Sequence, residues 1–209
     1  MSVRLLALSF AGGIAVAAGG WLFAAQDPPQ RSAAELMDVL MWNREPIGGP
    51  FALIDHNGQR RTETDFRGKL MLIYFGFTFC SDVCPTDLLA VAGTMDQLGP
   101  ASEALQPLFI TVDPEKDRPE QLKEYVKLFH PSLIGLTGDA SQIRKLTSAY
   151  KVYYAKTQPS RPLDPGIDHT GYVYLMGRDG EYLGFFPPGT SVDRMADAIR
   201  PLVEGAHRP

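Results

Sequence analysis

The sequence predicts an α/β domain whose central sheet is covered by helices on both faces, carried behind one N-terminal membrane-spanning helix. Three observations point there. Residues 5–25 contain no charge and are dominated by Leu, Ile, Val, Phe, Trp, Ala and Gly, and about 20 apolar residues cross a bilayer. Residues 69–77 are a nearly continuous apolar run, as in a strand buried on both faces. From residue 47 onward, strand-like and helix-like segments alternate and close with a hairpin and a helix.

In chain order, residues 1–26 read as the anchor. Arg4 stands before the apolar run and Asp27 after it, so the positive-inside tendency keeps the N-terminus in the cytoplasm and exports the rest. Ala24 and Ala25 would also suit a signal-peptidase cut, but the run exceeds the usual ~7–15-residue core of a signal. Residues 27–46 are a linker: Asp27-Pro28-Pro29 stops the helix, and Leu36, Met37, Leu40 and Met41 suit a short amphipathic helix over 32–42. Met37 and Met41 fit packing or a membrane surface better than metal ligation.

The globular domain is assigned to residues 47–204, with 205–209 as a tail. Residues 51–54 form a strand, and Asp55-His56-Asn57-Gly58 a turn that leaves His56 solvated. The strand at 69–77 runs into Phe79-Cys80-Ser81-Asp82-Val83-Cys84-Pro85, and Pro85 fits the first turn of a helix that carries Leu88, Leu89, Val91, Met95 and Leu98. Strands follow at 105–112, 132–137 and 152–155, and helices at 119–129 and 140–150. Pro159, Pro162, Pro165 and Gly166 mark a loop over 157–168. Strands at 171–176 and 181–186 flank Gly177-Arg178-Asp179-Gly180, and Ser191 caps a last helix through residue 203. This element order suits a thioredoxin-like domain with a central mixed sheet flanked by helices.

Composition narrows the function. With 209 residues, 44% of them hydrophobic, one full core is affordable beside the extension. A net charge of −4 and no dense Lys/Arg block argue against nucleic-acid binding. Two cysteines cannot make a multi-bridge scaffold or a four-thiolate zinc site.

Those two cysteines organise the chain. Cys80 and Cys84 sit four apart at the strand–helix junction, so a tight or helical turn puts both sulfurs on one side. Free N–H groups at the helix start favour a thiolate at Cys84, the form that ligates metal and attacks disulfides. The pair therefore suits either chelation of a soft metal or a reversible disulfide. Two sulfurs do not close a coordination sphere, and four histidines are available. His207 lies in the tail, His130 beside Pro131 at a helix end and His56 in a turn. His169 ends the Pro/Gly-rich loop just before a strand and is the candidate third ligand.

Residues 46–203 resemble the Sco/SenC family, the copper-binding assembly factors of cytochrome c oxidase. The resemblance rests on Arg67-Gly68-Lys69, Tyr74-Phe75-Gly76-Phe77-Thr78-Phe79-Cys80, the Cys84-Pro85 that follows, Val112-Asp113-Pro114-Glu115-Lys116-Asp117, Gly135-Leu136-Thr137-Gly138 and Asp168-His169-Thr170-Gly171-Tyr172. It implies a thioredoxin-like fold that binds one copper through Cys80, Cys84 and His169. It also implies a role for Asp113 behind the ligands or in partner docking, where the bland alternative is a turn-forming Asp before Pro114. Ser81 departs from the proline that many relatives carry between the cysteines.

The function expected from the resemblance is a metallochaperone rather than an enzyme. It would be held by a single pass in a bacterial inner membrane with its domain in the periplasm. It would take copper from a donor protein, as Cu(I) with Cu(II) also admitted, and deliver it to the dinuclear copper centre of a cytochrome oxidase subunit. Oxidation of Cys80 and Cys84 to a disulfide would block loading. The alternative is a thiol–disulfide oxidoreductase that reduces the cysteines of that subunit. The spacing disfavours it, because redox pairs commonly have two intervening residues.

Overall fold

The structure, a computed structural model, describes residues 46–80, 83–156 and 167–204. The predicted anchor, nearly all of the linker with Met37 and Met41, Ser81, most of the proline-rich loop, and the tail with His207 lie outside the described residues. Among the described residues no helix is long and apolar enough to cross a membrane.

The strands are β1 (Ala52–Asp55), β2 (Arg60–Thr62), β3 (Leu70–Gly76), β4 (Leu105–Thr111), β5 (Ile134–Thr137), β6 (Tyr154–Lys156), β7 (Ile167–His169), β8 (Val173–Met176) and β9 (Tyr182–Phe186). The helices are α1 (Val83–Leu98), α2 (Pro119–Val126), α3 (Ala140–Ala149) and α4 (Val192–Glu204). Seven strands make one sheet in the order β2-β1-β5-β4-β3-β8-β9, while β6 and β7 form a separate ribbon. β3, β4 and β5 are parallel, and β1, β8 and β9 add antiparallel margins. This is the mixed α/β fold with a helix-flanked mixed sheet that the sequence predicts.

β3 is central, and all seven of its residues are buried. Its side chains alternate between two cores, as strand geometry requires. Leu70, Leu72 and Tyr74 join the core under α1, α2 and α4, with Leu88, Met95, Leu122 and Ile199. Met71, Ile73 and Phe75 join the other, with Leu53, Leu108, Ile143 and Leu146. Cys80 packs at the margin of both.

The chain departs from its predicted elements in places that matter to the site. Pro85 lies in the first turn of α1 as expected, and Cys84 belongs to the same helix. Cys84, Leu88, Val91, Met95 and Leu98 then share the buried stripe of one helix. His169 belongs to a strand, β7, whose partner is β6 in the register Tyr154↔His169. His56 is not a solvated turn residue: its Nδ1 accepts from the Gly135 N–H at 3.1 Å, which ties the β1 turn to β5. The Asp55 turn forms as predicted, with Asp55 Oδ1 accepting from the N–H groups of Asn57 and Gln59.

Candidate metal centre

Three elements converge at the carboxyl end of β3. The chain leaves β3 at Gly76 and turns through Thr78, with the Cys80 N–H donating to the Phe77 carbonyl at 3.2 Å. α1 supplies Cys84, and the β6–β7 ribbon supplies His169. Within β7, Ile167 is buried and Asp168 exposed, so the two-residue period turns His169 inward. The Thr170 N–H, donating to the Tyr153 carbonyl at 2.9 Å, pins the end of the ribbon.

The ligand atoms of Cys80, Cys84 and His169 all lie within 4.8 Å of one another. Cys84 Sγ is 3.2 Å from His169 Nε2. His169 Nδ1 is 3.2 Å from the Thr170 carbonyl, which can only accept, so Nδ1 carries the proton and Nε2 presents its lone pair. Tyr74 and Phe77 meet the imidazole edge to face, at 84° and 83°, and fix its plane. Two soft sulfurs and one borderline nitrogen on an open side form a donor set for a thiophilic ion such as copper.

The two thiols are not equivalent. Cys84 has no exposed surface, whereas Cys80 is partly exposed. A thiolate-favouring Cys84 was the expectation from its place at a helix start. The Cys84 N–H instead points at Cys80 Sγ, 3.5 Å away, so the helix terminus serves Cys80. Hydrogen bonding with Cys80, then burial, push the Cys84 thiol well above the ordinary thiol range.

A glycine makes the close packing possible. A Cβ on Gly76 would lie 3.0 Å from Cys84 Sγ, from Phe109 and from Tyr74, so only glycine lets the sulfur rest against the strand. Behind the site Asp87 is 2% exposed; its Oδ1 accepts from the Gly189 N–H at 2.9 Å, and burial raises its carboxyl above the usual range.

Asp113 lies two residues beyond β4, is 3% exposed, and forms an ion pair with Lys116 at 3.9 Å; burial pushes its carboxyl up. The acidic side chain that bonds the cysteine segment is Asp117, which accepts from both the N–H and the hydroxyl of Thr78. Sequence reading quoted Gly76 and Asp117 within motifs without giving them roles. Neither a close approach nor a contact across 39 residues has a local signature.

Comparison with known proteins adds the lineage. The SCO1/SenC family matches residues 41–204. The chain belongs to this family. It is 39% identical over 204 residues to the human mitochondrial SCO1 homolog, covering 95% of this chain and 66% of that protein, so it spans just under two thirds of that relative's length. It is 45% identical over 141 residues to a SCO2-like protein of Rickettsia prowazekii, covering 67% of this chain and 69% of that one. Among solved structures, Arabidopsis thaliana ScoI with copper bound is similar with a TM-score of 0.71 and 41% identity, over 76% of this chain and 99% of the other. Bradyrhizobium japonicum ScoI with copper bound gives a TM-score of 0.68 and 39% identity, over 74% and 98%.

Proposed function

We propose that this SCO1/SenC chain is a metallochaperone that binds one copper ion through Cys80, Cys84 and His169 and delivers it to the dinuclear copper centre of cytochrome c oxidase during assembly. The observation that carries the reading is the convergence of two sulfurs and an imidazole nitrogen within 4.8 Å from three separate elements. Two relatives of similar fold are copper-bound, which supports the choice of metal.

Three donors suit Cu(I), and the remaining open side admits Cu(II) or an incoming ligand. Cargo would leave by ligand exchange: an acceptor sulfur or imidazole enters on the exposed side, and the protein ligands release in turn. Cys80, the more exposed sulfur, is placed to let go first. Asp113, in the turn after β4, would serve in docking or in support of the ligands. The apolar run at residues 5–25 anchors the chain by one pass, with the domain in the periplasm of a bacterial inner membrane.

A second reading is a thiol–disulfide oxidoreductase that reduces the acceptor's cysteines. What favours it is the unequal pair, a partly exposed Cys80 beside a buried Cys84, the division of labour between an attacking and a resolving thiol.

The test titrates the full chain with Cu(I) under strict reduction, beside Cys80→Ala, Cys84→Ala and His169→Ala. One tight equivalent in wild type, weakened in all three variants, is the expected result. Absence of tight binding together with reductase activity that needs both cysteines and ignores His169 would replace the chaperone with the oxidoreductase.

A further inference from the structure

Asp117 has no exposed surface, yet it carries an acidic side chain in the segment between β4 and α2. Its Oδ2 accepts from the Thr78 N–H at 2.9 Å and from the Thr111 hydroxyl at 2.7 Å, and its Oδ1 accepts from the Thr78 hydroxyl at 2.5 Å. Thr111 is the last residue of β4, and its hydroxyl also receives the Asp113 N–H at 2.9 Å. The turn after β4 is already closed by backbone bonds from the N–H groups of Lys116 and Asp117 to the Asp113 carbonyl. The side chain of Asp117 is therefore not needed to close its own turn. Two of its three bonds go to the segment that carries Cys80.

We infer that Asp117 is a positioning residue that clamps the Phe77–Cys80 turn and thereby holds Cys80 Sγ within reach of Cys84 and His169. The two ends of the cysteine pair are secured differently. Cys84 is fixed by its place on the buried stripe of α1. Cys80 lies on a turn, and its geometry depends on what holds Thr78, two residues earlier. Asp117 supplies that hold through one backbone and one side-chain bond, so the turn cannot swing without breaking both. A clamp of this kind sets two properties together: the affinity for metal, which needs the sulfurs at fixed separation, and the ease of closing the Cys80–Cys84 disulfide.

The inference rests on the copper-site reading for its first readout only; the second needs no metal. The full chain is compared with Asp117→Ala, Asp117→Asn, Thr78→Val and, as a packing control on α3, Ile143→Ala. Cu(I) affinity is measured by competition with bicinchoninate, and the dithiol–disulfide ratio in glutathione buffers. Asp117→Ala is expected to bind Cu(I) about 10–100-fold more weakly, the usual cost of removing a group that orients a ligand. The same variant is expected to shift the redox equilibrium about tenfold toward the dithiol, about 30 mV for this two-electron couple. Asp117→Asn rescues most of both, because its amide oxygen accepts the two Oδ2 bonds and its N–H donates to Thr78 Oγ1. Thr78→Val gives an intermediate loss and stands in if Asp117→Ala does not fold. Ile143→Ala melts lower and changes neither readout. Folded Asp117→Ala or Thr78→Val that matches wild type in the redox equilibrium would overturn the inference. If wild type itself bound no copper, the copper reading would fall while the redox readout still decided the clamp.

Discussion

Replacing Gly76 with alanine tests how tightly the site is built. The new Cβ would stand 3.0 Å from Cys84 Sγ, from Phe109 Cε2 and from Tyr74 Cε1. Carbon contacts are optimal at about 3.5–4.0 Å, so something must move by roughly 0.5 Å. The two rings are 0% and 1% exposed and Cys84 is 0% exposed, so none has free space to move into and the sulfur must take part of the displacement. A metal ligand tolerates displacement of only about 0.2 Å before its bond suffers. Gly76→Ala should therefore lose copper affinity about 10–100-fold, as when a ligand is misplaced by its support. Overpacking should also cost about 1–3 kcal/mol of stability. At about 2–4 °C per kcal/mol for a domain of this size, the melting temperature should fall by about 2–12 °C. The assay is Cu(I) competition beside thermal melting of the reduced chain, with Gly93→Ala as control. A Cβ on Gly93 would press on Val192 at 2.8 Å, nine residues along α1 from Cys84, so it perturbs packing away from the ligands. Gly76→Ala that melts lower but keeps Cu(I) affinity within about threefold of wild type, like Gly93→Ala, would refute the reasoning, because threefold is well short of that expected loss.

Two pH experiments follow from the buried titratable groups. The Cys84 thiol is raised in the fold above its unfolded value of about 8.5, so the stability it contributes is full below that pH and declines above it. Chemical denaturation of the reduced protein between pH 7 and pH 9.5 should show a loss of stability that Cys84→Ser abolishes; an equal loss in that variant would refute the assignment. Asp87, raised by burial, contributes stability that is full below about pH 3.9 and lost as pH rises through its folded value. Asp87→Asn should therefore be more stable than wild type at pH 7, with the margin shrinking at pH 4; a margin independent of pH would show that ionisation of Asp87 is not its source.

What the sequence determined by itself was local or periodic. The apolar run at 69–77, the turn Asp55-His56-Asn57-Gly58, the Cys80-x-x-x-Cys84 pair and the strand–helix alternation are all statements about neighbours along the chain. They were enough to reach the α/β class, the sheet's central strand and the candidate donors, and the order of motifs pointed to the family. The tertiary structure decided what depends on residues far apart. It placed His169 on the β6–β7 ribbon with its Nε2 toward Cys84, and it made Asp117 rather than Asp113 the aspartate bonded to the cysteine turn. It also reversed the expected character of Cys84. Helical spacing with Leu88 and Val91 puts that sulfur on the buried stripe of α1, and the Cys84 N–H turns to Cys80. A helix dipole is written in the sequence, but the hydrogen bond a sulfur makes and the depth of its burial are set by how the chain folds around it.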